Sequence, residues 1–83
     1  MGSTAIIKKF IQENLVKDKI ERTIGVGDDL INSGIIDSLG ILKLLAFLES
    51  SFSIHIADEE LIPENFDSVA SINSLIRRKK NAR

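Results

Sequence analysis

Few residues in this sequence could do chemistry, and the pair Asp37-Ser38 stands out because an apolar run follows it directly. A serine hydrolase needs an imidazole base within hydrogen-bond reach, and His55, the single histidine, lies between Ile54 and Ile56 beyond that run. The stretch "IDSLG" also lacks the G-x-S-x-G nucleophile elbow. With one histidine and no cysteine, a His/Cys metal cluster is excluded. The sequence therefore predicts a chain that is not itself an enzyme.

The Asp37-Ser38 pair has an ordinary structural explanation, since both residue types are favoured at helix N-caps. Its position offers a second explanation. A serine at a helix start lies where backbone N–H groups and the positive end of the helix dipole converge, so a phosphate esterified to its oxygen would be held at low energetic cost. The preceding loop contains glycine, which leaves room for a transferase to reach the hydroxyl. The residues alone leave both explanations open.

The elements that position this pair are predicted to be helices, because apolar residues recur at helical spacing in three stretches. The three longer helices are expected from a Ser3 or Thr4 cap to about Lys19, from Asp37 or Ser38 to about Ser51, and from an Asp67 or Ser68 cap to a basic tail. A one-turn helix in "ADEEL", capped by Asp58, ends before Pro63, and "ENF" is interpreted as a connector. The predicted fold class is all-α, a small four-helix bundle of three longer helices and one short one.

A long first loop, 20–36, joins the first two helices and is interrupted by three glycines. Its isolated apolar residues are Ile24, Val26, Leu30, Ile31 and Ile35. Loops of this length in compact domains are usually functional or disordered. The scattered apolar residues indicate that this loop packs across the bundle.

The second helix carries apolar residues on two sides. At about 100° per residue, one stripe faces the core and consists of Ile41, Leu44, Leu45, Leu48 and Phe52. Leu39, Leu42 and Ala46 fall on the opposite side, next to Lys43. Either the long loop covers this second stripe, or isolated exposed leucines have no significance, or the stripe is a docking surface for a partner. The periodicity does not decide among the three.

Composition limits what the chain could do. Its 83 residues suit one domain, 1–83, with about 4–76 folded and a basic tail at 77–83. Lys43 is the single base within 23–76 against nine acids, so that region disfavours nucleic acid and would attract a protein with a basic patch. The basic tail is interpreted as the solvated, dipole-complementing end of a helix. Without cysteines, a signal peptide or an apolar run of membrane-spanning length, a cytoplasmic monomer is predicted.

These residues resemble those of the acyl carrier protein family, whose attachment motif is Asp-Ser-Leu at the start of the second helix. Asp37, Ser38 and Leu39 match the motif in order. The tripeptide alone is a weak signal. The chain length, the helix order and the segment "LESSFSIHIADEEL", which is similar to the family's Leu-Glu, Phe and Ile-x-Ile-x-Asp-Glu pattern, extend the resemblance over nearly the whole chain.

The resemblance implies that Ser38 is modified with 4'-phosphopantetheine. A separate phosphopantetheinyl transferase would deliver this arm from coenzyme A with magnesium, assisted by Asp37. The arm ends in a thiol that carries an acyl group as a thioester, so the chain would be a substrate of its partners and not a catalyst. The expected partners are the transferase and acyl- or aminoacyl-loading ligases, synthases or transferases with basic docking patches. The residues implied in their recognition are Leu39, Leu42, Lys43 and Ala46.

The sequence leaves two chemical classes of cargo open. Acyl intermediates of fatty acid, polyketide or other specialised biosynthesis are the first expectation. Gly40 and Lys43, however, stand where fatty acid carriers often have acids, and "DSLG" and "PENFDS" look more like discrete carriers for aminoacyl or D-alanyl enzymes. An aminoacyl, D-alanyl or peptidyl carrier is therefore the alternative. A hypothesis of another class is a non-covalent helical module that binds a partner helix through the same stripe.

Gly40 is unusual for a second reason. Glycine in a helix costs about 1 kcal/mol of helix propensity relative to alanine. Its presence near the start of the second helix predicts a close approach there, by the arm or by a partner.

Overall fold

The structure is a computed structural model that describes residues 3–15 and 24–81. Within those ranges it contains α1 (Ser3–Asn14), α2 (Ser38–Phe52), a 3-10 helix (Asp58–Glu60), α3 (Pro63–Phe66) and α4 (Val69–Asn81). The described part of the chain has no strand. Helix α1 packs against α4 and α2, and α3 packs against α4. The all-α helical bundle predicted from the sequence is confirmed.

Helix α1 turns its apolar side towards the bundle. Two isoleucines four residues apart are fully buried, Ile7 and Ile11. The predicted N-cap is wrong, because Ser3 and Thr4 both lie inside the helix. The Ser3 hydroxyl instead donates a hydrogen bond to Oδ1 of Asn73 on α4. The predicted helix end near Lys19 lies outside the described residues.

Helix α2 has the core stripe that its periodicity predicts. Leu44 and Leu48 are fully buried, and Ile41, Leu45 and Phe52 are half-buried. Phe47 stacks on Phe10 of α1, with ring centroids 4.1 Å apart and an interplanar angle of 13°. The helix ends at Phe52, and its C-cap Ser53 has a left-handed backbone (φ 55°), which is a common way to terminate an α-helix.

The two short helices differ in detail from the prediction. The one-turn helix is present, but Asp58 is its first residue and Ala57 is its N-cap. Oε1 of Glu60 accepts a hydrogen bond from the Ala57 N–H at 2.8 Å, which closes this turn. The stretch interpreted as a connector forms α3, Pro63–Phe66. Proline suits the first position of a helix because its missing N–H would have no partner within the helix there.

Helix α4 begins where it was predicted and ends later. The Ser68 hydroxyl accepts a hydrogen bond from the Ser71 N–H at 3.1 Å, which is N-cap geometry. The helix continues to Asn81, so residues 77–81 are helical and are not a tail beyond the folded part. Lys79 and Lys80 both bond to the body of the protein.

The core lies between α1, α2, α4 and the loop before α2. Its members with no exposed surface are Ile7, Ile11, Ile24, Leu30, Leu44, Leu48, Val69 and Ile72. Of the four phenylalanines, Phe66 is buried, and the other three pack against the core from half-buried positions. No polar or charged side chain of the described residues is buried. The core is therefore aliphatic, as the composition predicts, and its stability comes from apolar burial.

The loop before α2 packs across the bundle, as predicted. The Leu30 N–H donates to the Asp67 carbonyl at 2.8 Å, and the Ala70 N–H donates to the Val26 carbonyl at 2.9 Å. These bonds join the loop to the start of α4. In the part of the loop that the structure describes, 24–36, the buried residues are Ile24, Leu30, Ile35 and Ile36. Val26 departs from the prediction, because its side chain is exposed and the loop uses its carbonyl instead.

Candidate functional site

Ser38 is the first residue of α2, and it is exposed. The residue before it, Asp37, is the N-cap, with φ −112° and ψ −169°. Oδ1 of Asp37 accepts a hydrogen bond from the Gly40 N–H at 2.7 Å. The structure thus assigns the capping role to Asp37. Ser38 lies at the solvent-facing start of the helix, where N–H groups without a partner in the helix and the positive end of the dipole meet.

Contacts within the chain give a structural reason for glycine at position 40. It is buried, and a Cβ atom added to it would lie 3.2 Å from Oδ1 of Asp37 and 3.7 Å from Cδ2 of Leu15. Within the chain, the capping carboxylate and Leu15 approach this position closely; approach by an arm or a partner stays a prediction. An acidic side chain at position 40, which fatty acid carriers often have, would be directed at these two neighbours.

A closed turn in the loop leads to the start of α2. Oδ1 of Asp29 accepts a hydrogen bond from the Asn32 N–H at 2.9 Å, and Asn32 also donates from its side chain. These hydrogen bonds lower the pKa of Asp29, and the bond from the Asn32 backbone N–H has the largest effect. The Ile36 N–H then donates to the Leu30 carbonyl at 2.9 Å. Because Ile36 is buried two residues before Ser38, the start of α2 is held to the bundle.

The second apolar stripe of α2 stays uncovered by the described residues. Leu39 is 61% exposed and Leu42 is 60% exposed, and both Lys43 and Ala46 are exposed as well. The possibility that the described part of the loop covers the stripe is therefore excluded. We call Leu39, Leu42 and Ala46 the exposed stripe. It begins immediately after Ser38, so a protein that contacts the stripe also comes close to the Ser38 hydroxyl.

An open groove of about 410 Å³ lies beside Ser38. We call it the Ser38 groove, and its lining residues are Ile31, Ile36, Asp37, Ser38, Ile41, Leu61, Ile62, Pro63 and Phe66. One wall comes from the loop and α2, and the other from the chain around the start of α3. Sequence reasoning missed this groove because that second wall was interpreted as the end of a one-turn helix and a connector. The available signal was the apolar pair Leu61-Ile62 in an otherwise acidic stretch.

His55 lies at the opposite end of α2 from Ser38. A helix of 15 residues is about 22 Å long at 1.5 Å per residue, and His55 follows its C-terminal end. The His55 side chain is 86% exposed, and its Nδ1 lies 3.4 Å from Oε2 of Glu49. Ser38 and His55 therefore do not form a nucleophile and base pair.

The described ranges 3–15 and 24–81 contain no group of three or more His, Cys, Asp or Glu side chains that could hold a metal ion. No helix in them has both the length and the apolar character needed to cross a membrane.

Sequence comparison gives one informative relative. No protein-family model matches the chain. The chain is 32% identical over 68 residues to a D-alanyl carrier protein from Streptococcus suis (strain 98HAH33), and the match covers 82% of each sequence. The matched length therefore takes in most of both proteins.

Several solved structures share the fold, and three of them follow. A chain in a crystal structure of an FAD-dependent dehydrogenase has a TM-score of 0.77 and 30% identity, over 84% of this chain and 97% of that one. KstB-PCP in its apo form has a TM-score of 0.71 and 38% identity, over 92% and 84%. A chain of the Bradyrhizobium japonicum glycine:[carrier protein] ligase complex with its cognate carrier protein has a TM-score of 0.69, over 96% of each chain. Its identity of 24% bears on the fold alone.

The attachment motif, the helical bundle and the identity to the D-alanyl carrier protein agree with one another. Asp37, Ser38 and Leu39 occupy the start of the second long helix, where the resemblance places the motif. The match to the relative is too long to arise from that tripeptide alone. The chain belongs to the acyl carrier protein family, and it is a carrier protein.

Proposed function

We propose that the chain carries its cargo on a 4'-phosphopantetheine arm attached to the Ser38 hydroxyl. The observation that supports this most strongly is that Ser38 is exposed at the start of α2 while Asp37 performs the capping. A phosphate ester on Ser38 would lie at a helix start, where N–H groups and the dipole favour negative charge. The Ser38 groove opens beside it, so these residues fit such a group. When attached, the arm supplies a thiol that holds the cargo as a thioester.

The chain itself is then a substrate of partner enzymes. Asp37 is exposed and adjacent to Ser38, which supports its assistance, with magnesium, when a phosphopantetheinyl transferase loads the arm from coenzyme A. A substrate role of this kind is supported by the similarity to a D-alanyl carrier protein. We place this work in the cytoplasm and in the monomeric chain.

Partner recognition is assigned to the exposed stripe and Lys43. Exposed leucines at the centre of a surface become effective binding contacts when a partner excludes water from them. The acids around them would guide the approach of a basic partner. Exposed acids outside α2 include Asp28, Asp29, Asp58, Glu59 and Glu64.

The first candidate cargo is an aminoacyl group. The relative that matches most of this chain is a D-alanyl carrier protein, and Gly40 and Lys43 depart from the acidic second helix of fatty acid carriers. A second candidate, an apolar acyl group, is favoured by a different observation. The Ser38 groove is lined mainly by isoleucine, leucine and phenylalanine side chains, which suit an aliphatic chain.

Attachment is tested by intact-mass measurement after incubation with coenzyme A, magnesium and a broad-specificity transferase. We expect the wild-type chain to gain the mass of one phosphopantetheine and Ser38→Ala to gain none. Ser50→Ala is the matched control, since Ser50 is an exposed serine near the other end of α2, and it should gain the arm normally. No gain by wild type would overturn the proposal and favour a non-covalent interaction module. A gain that survives Ser38→Ala would overturn attachment at Ser38 and place the arm on another residue.

The cargo is tested on the loaded chain. We expect a ligase that activates D-alanine, supplied with ATP and D-alanine, to add one alanyl mass to the arm. A fatty acyl ligase supplied with ATP and octanoate is the comparison. Acylation by octanoate alone would reject the aminoacyl candidate in favour of the apolar one.

A further inference from the structure

The chain between Ile56 and Phe66 is attached to the core only at its ends. Both end residues are buried, at 4% and 2% exposure. Every residue from 57 to 65 is exposed or half-buried. This 57–65 segment includes Leu61 and Ile62, which form the outer wall of the Ser38 groove and are 38% and 44% exposed. Leu61 and Ile62 are therefore only partly buried, so polar contacts of the segment also contribute to the position of this wall.

Glu60 is the centre of the polar contacts within the segment. Its Oε1 accepts hydrogen bonds from the Ala57 N–H at 2.8 Å and from Nζ of Lys79 at 2.7 Å. Its backbone carbonyl accepts a third bond from Nδ2 of Asn65 at 2.8 Å. The hydrogen bond from Lys79 lowers the pKa of Glu60 most, and the bond from the Ala57 N–H lowers it further, as expected for a carboxylate that accepts hydrogen bonds.

Two of these contacts lead to the last turns of α4. Besides the Lys79 bond to Glu60, Nη2 of Arg78 donates to Oδ1 of Asn65 at 3.0 Å. The side chains of Lys79 and Glu60 are only 25% and 27% exposed, so their bond is partly withdrawn from solvent. Lys80, the next residue, donates elsewhere, to the Phe52 carbonyl at 3.1 Å.

We propose that Lys79 and Arg78 are positioning residues for the Ser38 groove, because they hold the 57–65 segment and thereby set the place of the groove wall formed by Leu61 and Ile62. The basic end of α4 thus has a function beyond complementing its helix dipole. The consequence for an arm-borne group rests on the proposed attachment at Ser38, whereas the positioning itself does not.

The positioning is tested first on the unmodified chain, by amide hydrogen exchange. The test variant is Lys79→Met, which keeps the length of the side chain and removes its charge. Lys80→Met is the matched control, with the same loss of charge one residue away, because Lys80 donates its hydrogen bond to the Phe52 carbonyl, outside the segment. We expect exchange at the Ala57 and Leu61 amides to rise about threefold to tenfold in Lys79→Met and to stay at the wild-type rate in Lys80→Met.

Both amides donate within the segment, to Glu60 Oε1 and to the Asp58 carbonyl, so they report its local opening. Unchanged exchange in Lys79→Met, or an equal rise in both variants, would overturn the proposal. Arg78→Met is an independent test. Because Arg78 donates a hydrogen bond to the Asn65 side chain, we expect faster exchange at the Asn65 backbone amide in this variant.

The second measurement uses the arm. Wild type and Lys79→Met are loaded with octanoyl-phosphopantetheine, and the methyl resonances of Leu61 and Ile62 are compared with those of the unloaded proteins. We expect loading to shift these resonances in wild type and to shift them less in Lys79→Met. Equal shifts in the two proteins would contradict positioning of the wall. Failure of wild type to accept any arm would instead contradict attachment at Ser38, and the exchange result would still decide the positioning.

Discussion

The two sides of α2 carry the same residue type in opposite environments. On one side Leu44 and Leu48 have no exposed surface, and on the other Leu39 and Leu42 are about three-fifths exposed. All four residues lie within ten positions of one helix. Burial removes the first pair from water and stabilises the fold, whereas the second pair gives up little surface when the chain folds.

This difference separates residues that hold the fold from residues that are available to partners. The exposed pair contributes little to the free energy of folding, so its presence needs another explanation. Ser38 lines the Ser38 groove and directly precedes Leu39, the first residue of the exposed stripe. The exposed side of α2 is therefore the side on which loading and recognition are expected.

The largest effect is expected on the buried side. Leu48→Ala removes a fully buried side chain and leaves a cavity, which should lower the free energy of unfolding by about 2 to 5 kcal/mol. Urea denaturation followed by circular dichroism measures this change. A loss below about 1 kcal/mol would show that the two sides of α2 do not differ in the way proposed.

On the exposed side of α2, we expect a substitution to change stability little and to reduce arm transfer. Leu42→Asp should leave the free energy of unfolding within about 0.5 kcal/mol of wild type, as is usual for surface substitutions. It should reduce kcat/KM for arm transfer about tenfold, because an acid replaces an apolar contact. Ser51→Asp, an equal change of charge at an exposed position near the end of α2, is the control and should transfer normally. An equal fall in both variants would mean that charge alone explains the effect.

At the start of α2, Asp37 is expected both to cap the helix and to assist loading of the arm. Asp37→Ala removes the N-cap acceptor of the Gly40 N–H and should cost about 1 kcal/mol of stability. Asp37→Asn keeps a capping oxygen without the charge, so we expect it to retain most of the stability while transferring the arm more slowly. Denaturation and transfer rates of the two variants separate capping from loading. Wild-type transfer by Asp37→Asn would refute a role for the carboxylate.

The smallest effect concerns Glu60. Its pKa is lower in the folded protein than the ordinary value of 4.5, because Lys79 and the Ala57 N–H bond to its carboxylate. Its contribution to stability is therefore present above the unfolded pKa and is lost as the pH falls through the folded pKa. We expect Glu60→Gln to be less stable than wild type at neutral pH by less than about 1 kcal/mol, and the difference to vanish in acid. A difference that persists well below the folded pKa would point to the shape of the side chain and not its charge.

Much of the site could be predicted from local sequence. Helical spacing placed Leu44 and Leu48 in the core and Leu39 and Leu42 outside it, since periodicity along a helix fixes which side each residue occupies. The start of α2 was predicted from the same kind of local signal, the capping preference of aspartate and serine.

Features that depend on distant contacts were missed. The reason for Gly40 lies partly in Leu15, which is far away in sequence. The groove wall at Leu61 and Ile62 depends on how α3 packs against α4, and a four-residue helix gives too short a pattern to recognise. Likewise, the basic end of α4 looked like a solvated tail because Lys79 and Glu60 are nineteen residues apart and their pairing is visible only in the fold.

Mapping of the arm to one residue tests the attachment most directly. The chain contains nine serines, and several of them are exposed like Ser38. After loading by the transferase, fragmentation of the proteolytic peptides by tandem mass spectrometry should place the phosphopantetheine on Ser38 in every modified molecule. An arm found on any other serine, or spread over several, would contradict the proposal that the start of α2 is the attachment point.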